Sequence, residues 1–132
     1  MQRIPAIAVL FLLLAGAGFY CRREKPVPAP VTLTGKLVIN GPCGNYVIQV
    51  LSGNVDPSRI LASWKPVPGD TTYTNVFTVA NVCNFEGSTL ARNDIFTFRM
   101  NDTVIVNNCM VCQIFVATPP IANTVDHVQK VN

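Results

Sequence analysis

Between Val31 and Thr118 the apolar residues recur at every second position in short runs, and no stretch keeps the spacing of an amphipathic helix. Val31, Leu33, Leu37 and Ile39 share one face of a first strand over residues 31–39. Turn residues crowd Gly41-Pro42-Cys43-Gly44-Asn45, and the extended pattern resumes at 46–51 (YVIQVL), so the two runs are predicted to form a hairpin. Residues 52–58 read as loop, and 60–64 as a short strand closed by Pro66, Pro68 and Gly69. Residues 73–82 are dense in β-branched and aromatic side chains and are predicted as a strand. A longer loop follows over 84–93, with room for one helical turn near 88–92. Residues 95–100 then turn Phe96 and Phe98 to one face and Thr97 and Arg99 to the other. Residues 104–106 and 112–118 read as further strands, the second stopped by Pro119-Pro120. In the tail, Ile121, Val125 and Val128 fit a helix, while Val125, His127, Gln129 and Val131 alternate as an edge strand, the reading adopted here.

This punctuation predicts an all-β fold, a small barrel or sandwich of about five to seven short antiparallel strands. There is no βαβ alternation, which excludes a Rossmann or thioredoxin topology. A first long hairpin, a central strand and a closing hairpin resemble the layout of an OB-fold barrel. A body of about a hundred residues buries about two thirds of its surface, enough to fold alone with a small margin.

Ahead of the body, residues 4–20 form a run of 17 uncharged, mostly apolar residues behind Arg3 and the amino terminus. The run is short for a spanning helix of about 20 residues and long for a soluble core helix. A basic start, an apolar stretch and small residues near its end are the marks of a secretory signal. Ala15-Gly16-Ala17 offers an ordinary cleavage site, which would leave Gly18 as the new terminus. Gly18-Phe19-Tyr20-Cys21 instead resembles a bacterial lipoprotein signal. That resemblance implies acylation of Cys21, which would then head the mature chain. An uncleaved anchor is the third alternative, and Arg22, Arg23 and Lys25 would then hold the body in the cytoplasm. Residues 25–30 (KPVPAP) favour an extended, semi-rigid spacer. The expected organisation is therefore a signal or anchor over 1–20, a Pro-rich tether over 21–30 and one β domain over 31–132.

The net charge of +3 changes meaning once it is located. Arg3, Arg22, Arg23 and Lys25 face only Glu24 in the first thirty residues, whereas the bases and acids of the body balance. The body's bases stand singly, so no cluster exists to displace counterions from phosphates, and nucleic acid is not an expected partner.

Cys43, Cys83, Cys109 and Cys112 lie in the body, with Cys21 apart in the leader. In an exported domain of this size, an even set reads as two disulfides. Three pairings are possible. Cys109 and Cys112 can bond each other only across a turn, because residues three apart on a strand face opposite ways. The pairing favoured takes Cys43 and Cys83 each into the 109–112 region. Two chemical alternatives compete. Cys109-Met110-Val111-Cys112 has the spacing of thiol oxidoreductases, but a strand rather than a helix is predicted to follow it. Four cysteines can also hold zinc, though such sites normally show two close pairs and this chain has one.

Other chemistry is sparse. His127 is the sole histidine, so no His pair for a metal exists, and no Ser-His-Asp arrangement can be drawn. Glu86 and Asp94 read as loop and strand-flanking carboxylates. Trp64, Tyr46 and Tyr73 are the aromatic set that could stack on a sugar, with core packing as the competing role. Asn101-Asp102-Thr103 matches the N-glycosylation pattern. No catalytic residue, metal or cofactor is expected. The expected protein is an exported, lipid-anchored, non-enzymatic envelope module that contacts the membrane through its N-terminal segment and binds a protein or saccharide. The alternatives are a soluble periplasmic or secreted ligand-binding domain, and a thiol-active or zinc-binding protein.

Overall fold

The computed structural model describes residues 30–68, 70–103, 106–110, 114 and 116–131. The leader with Cys21, most of the tether, and Cys112 lie outside the described residues. Six strands form one sheet: β1 (Thr32–Asn40), β2 (Tyr46–Ser52), β3 (Leu61–Trp64), β4 (Tyr73–Val79), β5 (Ile95–Asn101) and β6 (Ala122–Lys130). Their order is β2-β1-β5-β6-β4-β3, and an additional β2–β4 pairing closes five of them into a ring. The fold is all-β, and its only helical pieces among the described residues are single 3-10 turns.

β4 makes the closure possible by using both of its edges. Val76 to Thr78 pair with β2 on one side. On the other, β3 takes Tyr73 to Val76 and β6 takes Thr78 and Val79 in succession. The β4–β6 pairing is parallel and all the others are antiparallel. Asn81 extends this junction beyond the strand. Its buried side chain donates to the Val125 carbonyl at 2.8 Å and accepts from the Val125 N–H at 3.0 Å, so an amide replaces one backbone rung. That rung accounts for β4 ending at Val79 rather than at the expected Val82.

The ring is filled from alternate positions, as the pleat requires. Leu33, Leu37, Ile48, Val50, Phe77, Val79, Phe96, Phe98 and Val125 meet inside. Phe98 packs at 5.9 Å from Phe77 and 5.6 Å from Phe96. It fits because β1 carries no side chain at Gly35, where a Cβ would lie 2.7 Å from Phe98 and 2.9 Å from Ile48. Phe85 and Leu90, from the connection between β4 and β5, complete this core. That connection is docked by Asn40 Nδ2 on the Leu90 carbonyl and by backbone bonds joining Leu37 to Asn93 and Asp94. The expected helical turn near 88–92 is absent; the residues there are hydrogen-bonded turns, and the 3-10 turn sits earlier, at Val82–Asn84.

Four strand predictions need correction. A register shift between Leu37 and Ile39 breaks the face expected for β1, burying Val38 on the outside of the ring, while Val31 stays half exposed. The predicted strand over 112–118 is not formed by its described residues, since Ile114 and Val116 to Thr118 belong to no strand; the rest of that run lies outside the described residues. β4 is instead closed by the following segment, where the Thr78 N–H donates to the Ile121 carbonyl and the Thr78 hydroxyl to that of Pro119. Val106 likewise lies outside any strand. The tail is indeed a strand, but an inner one that pairs with both β4 and β5 rather than an edge.

Candidate functional site

A second apolar layer lies outside the ring. Val38, Val47 and Val76 point away from the main core yet are fully buried, because Leu61, Trp64, Tyr73 and Ile39 cover them. β3 supplies that cover. Trp64 and Tyr73 are cross-strand partners, and their rings stack with centroids 6.1 Å apart.

Beside this stack opens a groove of about 430 Å³, within the size range of small-ligand sites. Ile39, Pro66, Val67, Tyr73 and Val116 give it apolar walls, and Arg92 enters as its cation. Arg92 is held at two points: Nε donates to the Val38 carbonyl at 3.0 Å, and Nη2 to the Tyr73 hydroxyl at 3.2 Å. No carboxylate lies within ion-pairing distance of it among the described residues. Asp70 and Thr71 add polar groups to its lining.

The aromatic set expected from the sequence is therefore divided. Tyr73 lines the groove and Trp64 backs it. Tyr46 belongs elsewhere, since it has the inward parity of Ile48 and Val50 and packs on Phe85 with centroids 4.8 Å apart. Arg92 had no sequence signal beyond being one of several isolated bases. It joins the site only because the β4–β5 connection folds back over β1.

Cys83 is bonded to Cys109, which agrees with the favoured pairing at one of its two bridges. Cys109 is thus committed to a partner 26 residues away and not to Cys112 three residues on. Cys43 is disulfide-bonded as well. Asn107 seats the same corner, donating to the Ala80 carbonyl at 2.7 Å and accepting from the Cys83 N–H at 3.3 Å. The connection between β5 and β6 is tied down on both sides of its groove-lining residues: at Cys109 by the disulfide and at Pro119 by Thr78.

A polar cluster occupies the far side. Asn123 and Arg59 clasp each other, Arg59 Nε donating to Asn123 Oδ1 at 2.9 Å and Asn123 Nδ2 to the Arg59 carbonyl at 2.7 Å. Arg59 also reaches the Asn101 carbonyl and pairs with exposed Asp102 at 2.8 Å. Asn101 of the glycosylation pattern has its amide on Asp126 and its oxygen on the Thr103 N–H, so its side chain is engaged at both ends. Asp126 Oδ1 and Arg99 Nε, on paired strands, are buried atoms with no hydrogen-bond partner. His127 is exposed at a positive φ of 50°. No group of three or more His, Cys, Asp or Glu side chains among the described residues is arranged to hold a metal, and no described helix is long and apolar enough to cross a membrane.

Two carboxyls are electrostatically perturbed. The Asp94 carboxylate accepts from Lys130 Nζ at 2.7 Å and from the Ala91 N–H at 2.9 Å, and these bonds hold its carboxyl below its ordinary value. Asp56 is lowered by the Ser58 N–H that it accepts at the start of a 3-10 turn. Neither lines the groove. Comparison of the chain with protein-family models, curated proteins and solved structures gives no match.

Proposed function

We propose that this chain is an exported, non-enzymatic binding module of the cell envelope. An OB-like barrel carries the Trp64–Tyr73–Arg92 groove as its recognition surface, and acylated Cys21 anchors it. The observation that carries the reading is the Cys83–Cys109 bridge beside that groove. A bridged cysteine is neither a free nucleophile nor a zinc ligand, and a structural disulfide belongs to an oxidising compartment. The same bridge braces the connection whose Val116 lines the groove, so oxidation and binding are served by one device.

The order β1-β2-β4-β6-β5 supports the OB-like reading, with β3 as an addition between the second and third barrel strands. OB barrels recognise extended polar polymers on the face of those two strands. Here that outer face is covered by β3, which displaces the open groove to its margin. The Ile4 to Tyr20 run and the basic residues after it support delivery to a membrane.

The test is the intact mass and fractionation of the full chain produced in a Gram-negative host. The reading expects a diacylglyceryl adduct on Cys21, with membrane association that Cys21→Ser abolishes. A chain beginning at Gly18, or a full-length chain in the cytoplasm, would contradict it.

A further inference from the structure

Resting on the reading of the groove as the binding surface, we propose that it takes a monocarboxylate with an apolar body, gripped by Arg92. The argument begins with which hydrogens of Arg92 are in use. A guanidinium has five N–H groups in a rigid plane, and these form two edges able to grip a carboxylate. The edge made by Nε and Nη2 is occupied by the Val38 carbonyl and the Tyr73 hydroxyl. Nη1 makes no hydrogen bond among the described residues, so the end-on edge of Nη1 and Nη2 is left for a two-point contact. The two existing bonds fix the plane in advance, which removes much of the ordering cost of such a grip.

Arg92 also makes no ion pair among the described residues. Asp94 is committed to Lys130 and Asp102 to Arg59, and neither lies in the groove. Asp70 is the one carboxylate among the groove's described lining residues and lies beyond ion-pairing distance of Arg92. A single cation in a groove walled by Ile39, Pro66, Val67 and Val116 selects against fully polar anions, which would lose hydration to aliphatic walls. It selects equally against neutral apolar molecules, which leave the guanidinium edge unpaired. Stacking on a sugar ring is the weaker fit, because Tyr73 already gives one face to Trp64. The shared chemistry is a carboxylate joined to an aliphatic or aromatic body. It can come from a free small acid or from the C-terminal residue of a peptide.

The chain has a built-in reporter, since Trp64 is its only tryptophan and stacks on Tyr73. The oxidised full chain is titrated with 3-phenylpropionate, 3-phenylpropionamide, leucine-terminated tetrapeptides with free or amidated C-termini, and maltotriose. Trp64 fluorescence and calorimetry are followed together. Acids are expected to bind about tenfold or more tightly than their amides, as a charge-assisted two-point contact requires. Arg92→Gln is expected to bring that ratio to about one, and Arg92→Lys to an intermediate value. Val67→Asp, at a half-exposed wall position, adds a repelling charge and serves where Arg92→Gln fails to fold. It is expected to weaken acids by a larger factor than amides, lowering the acid-to-amide ratio. Preference for the free acid or for the free-C-terminal peptide assigns the source. Equal binding of acid and amide, or binding of maltotriose alone, overturns the carboxylate inference and leaves the groove a binding surface. Silence of every probe overturns both.

Discussion

Individual side chains in this protein stand in for backbone. Asn81 supplies both a donor and an acceptor to Val125, and Asn123 does the same for Arg59. Truncating Asn81 leaves a buried N–H and C=O unpaired, so Asn81→Ala is expected to cost about 2–3 kcal/mol, read as a lowered midpoint in urea. Gly35→Ala is expected to cost about 1–3 kcal/mol by crowding Phe98 and Ile48, and Phe98→Leu in the same chain should recover part of it. Asp94 adds a pH dependence. Its folded-state pKa lies below the ordinary 3.8, so folding favours the charged form. The resulting stability is present above about pH 4 and is lost as pH falls through the depressed value. Asp94→Asn should therefore reduce the loss of stability on acidification below about pH 4, and an unchanged acid limb would contradict the assignment. None of these roles was legible in sequence, because an asparagine that bridges strands looks the same there as one that makes a turn.

The elements were more legible than their pairing. β1, β2, β4 and β5 all fall where the sequence places strands, and the β1–β2 hairpin follows from the turn residues between them, whereas the β1–β5, β2–β4 and β4–β6 pairings carry no local signal. Ile114 and Val116 to Thr118, the described part of the run expected as a strand over 112–118, lie outside the sheet, and β4 has no edge left to offer them. β3 and β6 already occupy one edge and β2 the other. Edge occupancy is a property of the closed ring and is invisible in a local pattern. β3 itself was anticipated as a strand, but its work as the cover over Val38, Val47 and Val76 was not. Trp64→Ala uncovers that layer and is expected to lower stability by about 2 kcal/mol while exposing apolar surface to a hydrophobic dye. A variant with unchanged stability would show that β3 adds no packing. The candidate site was half legible for a related reason. Trp64 and Tyr73 are close in sequence and meet across one ladder, whereas Arg92 and Val116 arrive from distant connections.

At the scale of the whole molecule, charge and covalent bracing separate along the chain. The positive excess belongs to the first thirty residues, and the balanced body relies on a small core, an outer layer and its disulfide. In the chain-entropy view, a bridge closing 26 residues contributes about 3–4 kcal/mol, a large part of the stability of a domain this size. Cys83→Ser is expected to lower stability by that amount, with free Cys109 then open to mispairing. The most direct test of the central claim is disulfide mapping of the exported chain by proteolysis and mass spectrometry without reduction. The expected result is a linked peptide pair joining Cys83 to Cys109, and no free thiol at Cys43. A Cys109–Cys112 bridge, or free thiols at Cys83 and Cys109, would contradict the account.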